Sequence, residues 1–544
     1  MTHGIVCAAQ PEAVEAGAIT LRRGGNAVDA AVACALTQGV VDPLMTGLGG
    51  VGTAIVHVPG HGLLENLNFL GAASASASPD MWADRIVAET GDGFGFVLAG
   101  RENALGHQAV MVPGNLAGYW AMHAAHGRLP WAEVCEPAID AAELGWMVRP
   151  HVYAYATQDE AAQGRVPNEE ILGFTEAGRS LYLDPDHRPG MPGSMKRPGT
   201  RIRNPDLADT LCAVATSGAD ALYRGELAER IVVDMRAHGG LITLDDLASY
   251  RVVHQPALEG NYRGHTVATN QPGGSGVQVV QTLKILEQFG LRGLSHGMPE
   301  HLRIVAEAIA YAYQDKRAHV GDPDHVDVPL DLLTSAERAT GYARRIEQGE
   351  YATLKRLERL DEPPETTQVC VLDEHGNAVS MTHTLGAPSG VIVPDTGFIL
   401  NGCMGVFDPR PGHATSIAPG KAYTSSMSPS IVFGPDGALR MVLGAPGATY
   451  IPQAIAQVIS NVLDFDMAMS DAVIAPRIAV TRSRTIDVSN RIPRFVTSEL
   501  ETVGYAIQRS YLSYAFAGVH GVEVVGQSWR GGADPGRDGM ALAV

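Results

Sequence analysis

Gly47-Leu48-Gly49-Gly50-Val51-Gly52 has the G-x-G-x-x-G spacing that cradles a dinucleotide pyrophosphate when a strand enters and a helix leaves. Here an apolar helical run comes first and the β-rich run of residues 53–58 follows. The order is inverted, so these glycines read as close backbone packing beside a cleft. Gly273-Gly274-Ser275-Gly276-Val277 approaches a nucleophile elbow, but Val277 stands where the last glycine is required, which leaves a Gly-rich turn. His57 and His61 are four apart, yet Pro59 and Gly60 deny the helix that would aim both at one metal. Surface histidines are the expectation. Cys403 would need a histidine and a third group nearby to act as a nucleophile, so a small buried thiol is its expected role. Thr366 differs in kind. It follows Pro363-Pro364-Glu365, and two prolines force an extended, exposed approach to it. An internal threonine hydroxyl is a poor nucleophile with no base of its own. A threonine that begins a chain carries one, because an α-amine with a pKa of about 7.7–8.0 can take the proton of its own hydroxyl.

The elements that must hold such residues can be read from the pattern. Residues 21–30 place a Gly-Gly-Asn break before an apolar run, which predicts a helix, a stop and a second helix. Residues 53–58 predict a strand and residues 301–317 a helix. Residues 369–381 read as strand, turn and strand around His375-Gly376-Asn377. Residues 430–433 and 439–443 predict a second hairpin, with helices over 452–463 and 467–473. A helix-rich first two-thirds thus precedes a strand-rich last third. The length, 544 residues, suggests three or four domains at roughly 150 residues each, unless one large layered fold takes the whole chain. Apolar residues are 45% of the total, enough for a large core, and the net charge of -19 excludes a duplex or an anionic membrane as partner. The apolar run 28–41 is too short to span a bilayer, and the N-terminus does not read as a secretory signal, so a cytoplasmic protein is expected. The six scattered cysteines form neither a zinc pattern nor a disulfide framework, consistent with reduced thiols.

Thr366-Thr367-Gln368-Val369, followed by Asp373, Gly376-Asn377-Ala378-Val379-Ser380, Thr382 and Thr384, resembles the γ-glutamyltransferase (γ-glutamyltranspeptidase) family. So do Gly24-Gly25-Asn26-Ala27-Val28-Asp29, Gly321-Asp322-Pro323, Ser425-Ser426-Met427-Ser428-Pro429, Gly444-Ala445-Pro446-Gly447 and Ala475-Pro476-Arg477. The resemblance runs through nearly the whole chain. It implies an α/β fold of the N-terminal-nucleophile type: a four-layer αββα sandwich with two central sheets between helical layers. It implies self-cleavage between Glu365 and Thr366, in which Thr366 Oγ attacks the Glu365 carbonyl, the amide becomes an ester, and water releases a free threonine. The products would be a large segment, 1–365, and a small one, 366–544, associated as a heterodimer within one shared domain and open to further oligomerisation. By the same resemblance Thr384 orients the nucleophile, and the backbone N–H groups of Gly447 and Ala448 form the oxyanion hole. Ser425 and Ser426 help to hold a substrate carboxylate. No cofactor and no metal are implied.

The substrate pocket departs from that family. Where the family holds the α-carboxylate of a γ-glutamyl group with an arginine, this chain has Leu70. The position of the family's ammonium-binding Asn aligns with Gly386, and that of its Asp, in Asn401-Gly402-Cys403-Met404-Gly405-Val406, with Val406. Burying a zwitterionic head without these partners costs several kcal/mol. The expected activity is therefore an autoprocessing amidohydrolase acting on a small-molecule, non-glutamyl amide, with a small acid amide compatible with the retained serines. Leu70, Met404 and Val406 predict a pocket less polar than a γ-glutamyl one. Arg101 and Arg317 are the cations at hand for a replacement carboxylate contact, with surface ion pairs as the competing role. A γ-glutamyl hydrolase or transferase acting on glutathione-like substrates, and an unprocessed, silent binding protein, are the alternatives.

Overall fold

The computed structural model describes residues 3–89, 95–158, 165–354 and 366–544. Glu365 and the Pro363-Pro364 approach lie outside the described residues. In chain order the sheet strands are β1 (Gly4–Ala8), β2 (Val51–Val58), β3 (Leu63–Phe69), β4 (Val253–Pro256), β5 (Leu258–Tyr262), β6 (His265–Thr269), β7 (Thr367–Asp373), β8 (Ala378–Thr384), β9 (Ser430–Phe433), β10 (Leu439–Gly444), β11 (His520–Val525), β12 (Ser528–Ala533) and β13 (Met540–Ala543). A seven-stranded sheet has the order β13-β1-β7-β8-β2-β3-β4, and a six-stranded sheet the order β12-β11-β10-β9-β6-β5. Neighbouring strands in both run antiparallel.

The predicted hairpin at residues 369–381 is β7 and β8, at the middle of the first sheet. Its turn is organised by one carboxylate. Asp373 Oδ1 accepts the backbone N–H groups of His375 and Asn377, and Gly376 takes the positive φ of 80° that the turn needs. Asp373 Oδ2 accepts the N–H of Ala27 at 3.0 Å, tying the turn to the first residue of a helix.

Alternation along β7 sets the layers. Val369 and Val371 pack with the helices Pro11–Arg22 (α1) and Ala27–Val41 (α2), whereas Cys370 and Leu372 face Ala268, Ile431, Val442 and Val522 of the other sheet. α2 is apolar on all sides and is buried along its length except at Gly39, as such a helix must be. Its start carries the predicted stop and restart: Asn26 and Asp29 form a reciprocal capping box. On the other side of the six-stranded sheet, Val267, Val432, Met441 and Leu443 pack with the helices Gly276–Leu286 (α3), Pro299–His319 (α4) and Ile451–Phe465 (α5). The fold is α/β, and both sheets draw strands from before and after Thr366. The expected contrast between a helical first part and a stranded last part therefore holds locally but not architecturally. The last predicted helix, 467–473, starts two residues later, at Met469–Ile474. No disulfide occurs among the described residues, and no helix among them is long and apolar enough to cross a membrane.

Candidate active site

Thr366 stands directly before β7, and Thr384 ends β8. The register pairs Thr367 with His383, so the two threonines meet across the open end of the hairpin. Both are buried. Thr366 Oγ1 donates to Thr384 Oγ1 at 3.3 Å, and the Gly386 N–H donates to that same oxygen at 2.8 Å. Thr384 is thereby fixed from its own loop and holds the Thr366 hydroxyl in one orientation. A Cβ on Gly50 would lie 2.4 Å from the Thr384 carbonyl oxygen, which is the close packing expected of the Gly-rich run at 47–52.

Behind the pair lies a buried polar network that no motif announced. Gln38 Nε2 donates to Thr367 Oγ1 at 2.9 Å. His383 Nε2 lies 2.8 Å from Gln38 Oε1, and its Nδ1 lies 2.5 Å from the Tyr119 hydroxyl and 2.9 Å from that of Thr46. Burial pushes His383 down to about 3, so the ring stays neutral and serves as a hydrogen-bonding brace.

The second sheet brings in the Gly447 turn. Ser380 Oγ donates to the Leu443 carbonyl at 2.8 Å, and a Cβ on Gly444 would fall 2.4 Å from the Gln368 carboxamide. The end of β10 therefore lies over the start of β7, and the chain continues through Ala445 and Pro446 to Gly447. Gly447 has φ 144°, and a Cβ there would sit 2.4 Å from that of Ala517. Ala448 has φ 42° and opens a 3₁₀ turn that runs into α5. Successive N–H groups at a helix start favour developing negative charge, which is what an oxyanion hole requires.

The turn is braced by a buried cation. Arg477 donates to the carbonyls of Phe516 at 3.2 Å, Ala517 at 2.8 Å and Val473, and pairs with the buried Asp534 at 2.7 Å. Gly518 N–H in turn donates to the Pro446 carbonyl at 3.1 Å. Arg477→Met should strand the Asp534 carboxylate, costing about 3–5 kcal/mol. A lower urea midpoint accompanied by a lower kcat is the expected readout. An unchanged midpoint would deny the brace.

Beside this turn opens a cavity of about 890 Å³ whose walls include Lys316, Arg317, Val406, Arg410, Thr424 and Thr449. Arg317 pairs with the buried Glu89 at 2.8 Å, and Arg410 grips Asp408 with two bonds of 2.8 and 2.6 Å. Lys316, carried on α4, has no carboxylate partner among the described residues, and its ammonium donates to Ser426 Oγ at 3.0 Å. Burial, with Arg317 beside it, pushes its amine down to about 7. Of Leu70, Met404 and Val406, from which a less polar pocket is expected, only Val406 lines this cavity, whose walls also carry cations from α4 and Arg410. Arg317 is no surface ion pair, whereas Arg101 is one, bonded to Glu170 at an exposed position.

The other expected site residues divide. Val406 lines the cavity. Ser426 meets Lys316, while Ser425 Oγ accepts the Met427 N–H at 3.0 Å and braces its own turn. Ser425 N–H donates to the Gly273 carbonyl at 2.7 Å, and Ser275 Oγ to the Ser425 carbonyl at 2.7 Å, so the Gly273–Gly276 motif is a turn that positions the serines. Leu70 is buried against Gly273, a Cβ on which would lie 3.4 Å from Leu70 Cδ1. Gly386 has φ 73°, and a Cβ there would come 2.6 Å from Cys403 Sγ. The buried Cys403 thiol fills the space a larger residue at 386 would need, and donates to the Leu385 carbonyl at 3.5 Å.

The chain is similar to known proteins in sequence and in fold. A family model described as gamma-glutamyltranspeptidase matches residues 13–544. The chain is 34% identical to the acylase ACY 1 proenzyme of Pseudomonas sp. (strain SE83) over 516 residues, 94% of this chain and 88% of that one. It is 31% identical to the glutathione hydrolase proenzyme of Escherichia coli (strain K12) over 492 residues, 87% of this chain and 80% of that one. The crystal structure of cephalosporin acylase from Bacillus halodurans resembles it with a TM-score of 0.86 at 27% identity, covering 99% of this chain and 96% of that one.

Proposed function

Because the chain belongs to the gamma-glutamyltranspeptidase family, we propose that it is an autoprocessing amidohydrolase that uses Thr366 to cleave an acidic, non-glutamyl amide. The chain is an enzyme related to acylases and glutathione hydrolases. Thr366 Oγ1, held 3.3 Å from Thr384 Oγ1 at the end of the central hairpin, supports its role as nucleophile. The word proenzyme in the names of two relatives supports cleavage between Glu365 and Thr366. Segments 1–365 and 366–544 then remain one domain, a four-layer αββα sandwich whose sheets both use strands from each segment.

In this reading the freed α-amine of Thr366 takes the Oγ proton as Oγ attacks the substrate carbonyl. The tetrahedral oxyanion rests on the N–H groups of Gly447 and Ala448. The α-ammonium returns the proton to the departing amine, and water, deprotonated by the same α-amine, hydrolyses the Thr366 ester. Lys316, with Ser426, receives the carboxylate of the acyl group. The name cephalosporin acylase on a structural relative supports a non-glutamyl amide. The glutathione hydrolase relative keeps a γ-glutamyl substrate as the second reading. Leu70, Gly386 and Val406 weigh against it, since none supplies the charge that a zwitterionic head requires.

The test compares turnover of dicarboxylic half-amides, neutral amides and glutathione by the enzyme and by Lys316→Met. A charge-assisted hydrogen bond is worth about 1.5–3 kcal/mol, so KM for half-amides should rise about 10- to 100-fold in the variant and change little for neutral amides. The pH dependence has a definite sign. Lys316 binds an anion as the ammonium, so wild-type KM for half-amides is low below its pKa of about 7 and rises above it. The Thr366 amine must be neutral to act as base, so kcat rises through about 7.7–8.0. Their opposition gives a bell in kcat/KM for acidic substrates, whose alkaline fall disappears in Lys316→Met. Glutathione turned over faster than any half-amide, with Lys316→Met indifferent, would favour the second reading.

A further inference from the structure

A second cavity, of about 800 Å³, lies apart from the Thr366 site, between the turn His107–Ala109 and the helix Glu226–Ala237. Its lining includes Glu102, Glu176, Asp206, Asp234 and Asp395, and neither lysine nor arginine among the described residues. Two histidines stand within this acidic enclosure. Asp234 and His238 are four residues apart at the end of the helix, which puts them on one face. His107 reaches the same point from a distant part of the chain. Its Nε2 lies 2.8 Å from Asp234 Oδ2, and His238 Nδ1 lies 3.3 Å from Asp234 Oδ1. One ligand atom from each of the three side chains falls within 4.8 Å of the other two.

We propose that His107, Asp234 and His238 form a binding site for a divalent transition-metal ion, zinc in the first instance. Two imidazoles and one carboxylate are a ligand set zinc accepts, at about 2.0–2.2 Å, and three protein ligands leave a fourth position open toward the cavity. Imidazole nitrogens select against magnesium and calcium, which take oxygen ligands. Glu102 and Glu176 are paired with Arg85 and Arg179, so Asp206 and Asp395 are the other lining carboxylates that raise the local concentration of cations. The His107 and Asp234 side chains are largely buried and already fixed relative to each other. The two imidazole rings are stacked with centroids 4.5 Å apart and planes 18° from parallel, so their nitrogens do not yet converge. Convergence needs a rotation of His238, which is 56% exposed at the helix end and gives up its 3.0 Å bond to the Asp234 carbonyl in turning. A bound ion would cross-link that helix to the His107 turn. Gly106 N–H in that turn donates to the Ser389 carbonyl at 2.8 Å, so the cross-link would also brace the segment between Thr384 and Cys403.

The test uses the full chain, stripped of metal, and zinc alone. Competition against a chromophoric chelator should give one zinc per chain, and zinc in excess of its Kd should raise the Tm of thermal unfolding. His238→Ala, at an exposed position, and Asp234→Asn, of equal volume, should each weaken zinc at least tenfold while melting like the parent in chelator. If Asp234→Asn fails to fold, His238→Ala decides. No zinc binding at concentrations on the order of 100 µM, no shift in Tm, or an affinity unchanged in His238→Ala would overturn the site.

Discussion

Thr366→Ala is expected to leave the polypeptide in one piece and to reduce amide hydrolysis by about 10⁴-fold or more, the scale seen when a covalent nucleophile is removed. Both effects have one origin. In the proposed mechanism the hydroxyl that attacks the Glu365 carbonyl in processing is the one that attacks the substrate afterwards. No neighbour can replace it. Thr384 Oγ1 already accepts from Thr366 and from the Gly386 N–H, and Thr367 Oγ1 is engaged by Gln38 on the far side of the strand. Thr366→Ser keeps a hydroxyl and an amine and should retain processing with reduced turnover. Fold is not at issue, because removing a hydroxyl and a methyl before β7 leaves the strand register intact. Chromatographic assay of a half-amide, beside a denaturing gel, reads both outcomes. An alanine variant that still hydrolyses substrate at a tenth of the parent rate would remove Thr366 from the mechanism.

Gly447→Val is the second large effect. Gly447 occupies φ 144°, where a side chain is strained, and any Cβ would meet Ala517 Cβ at 2.4 Å and its Cα at 2.6 Å. Ala517 cannot retreat easily, since its carbonyl is held by the buried Arg477 guanidinium. The turn must shift, and with it the Gly447 and Ala448 N–H groups. Loss of one oxyanion donor costs about 10²–10³ in kcat, and this substitution disturbs two. KM should change little, because Lys316 and Ser426 belong to other elements. Processing should slow in parallel, as it passes through the same kind of oxyanion. Steady-state kcat and KM, with a thermal melt to measure the cost in stability, check this. An unchanged kcat would mean that the oxyanion is stabilised elsewhere.

Much of the geometry around Thr366 is legible in the chain because it is local. His375-Gly376-Asn377 centres a tight hairpin, and counting outward from it sets Thr367 opposite His383, with Thr366 and Thr384 at the open end. The Gly-rich runs at 47–52 and 273–276 read as close packing and as a turn, and the structure uses them so. What could not be read depends on contacts between distant segments. Lys316 sits on a helix whose pattern marks it only as part of an amphipathic surface; its partner Ser426 lies 110 positions away. The charged wall that Lys316 gives the cavity beside Val406 was not legible for that reason. Gly386 and Cys403 likewise account for each other only once the thiol is seen in the space beside the glycine. The His383 network has no spacing signature, since Gln38 and Thr46, near the end of α2, and Tyr119 are all distant from His383 in the chain.

Intact mass spectrometry of the purified wild-type protein tests self-cleavage before Thr366. Two polypeptides are expected, with masses that sum to that of the whole chain plus one water, the smaller beginning at Thr366 with a free amine. A single mass equal to the whole chain, in a preparation that hydrolyses amides, would contradict it: the hydroxyl of Thr366 would then have no amine of its own to act as base.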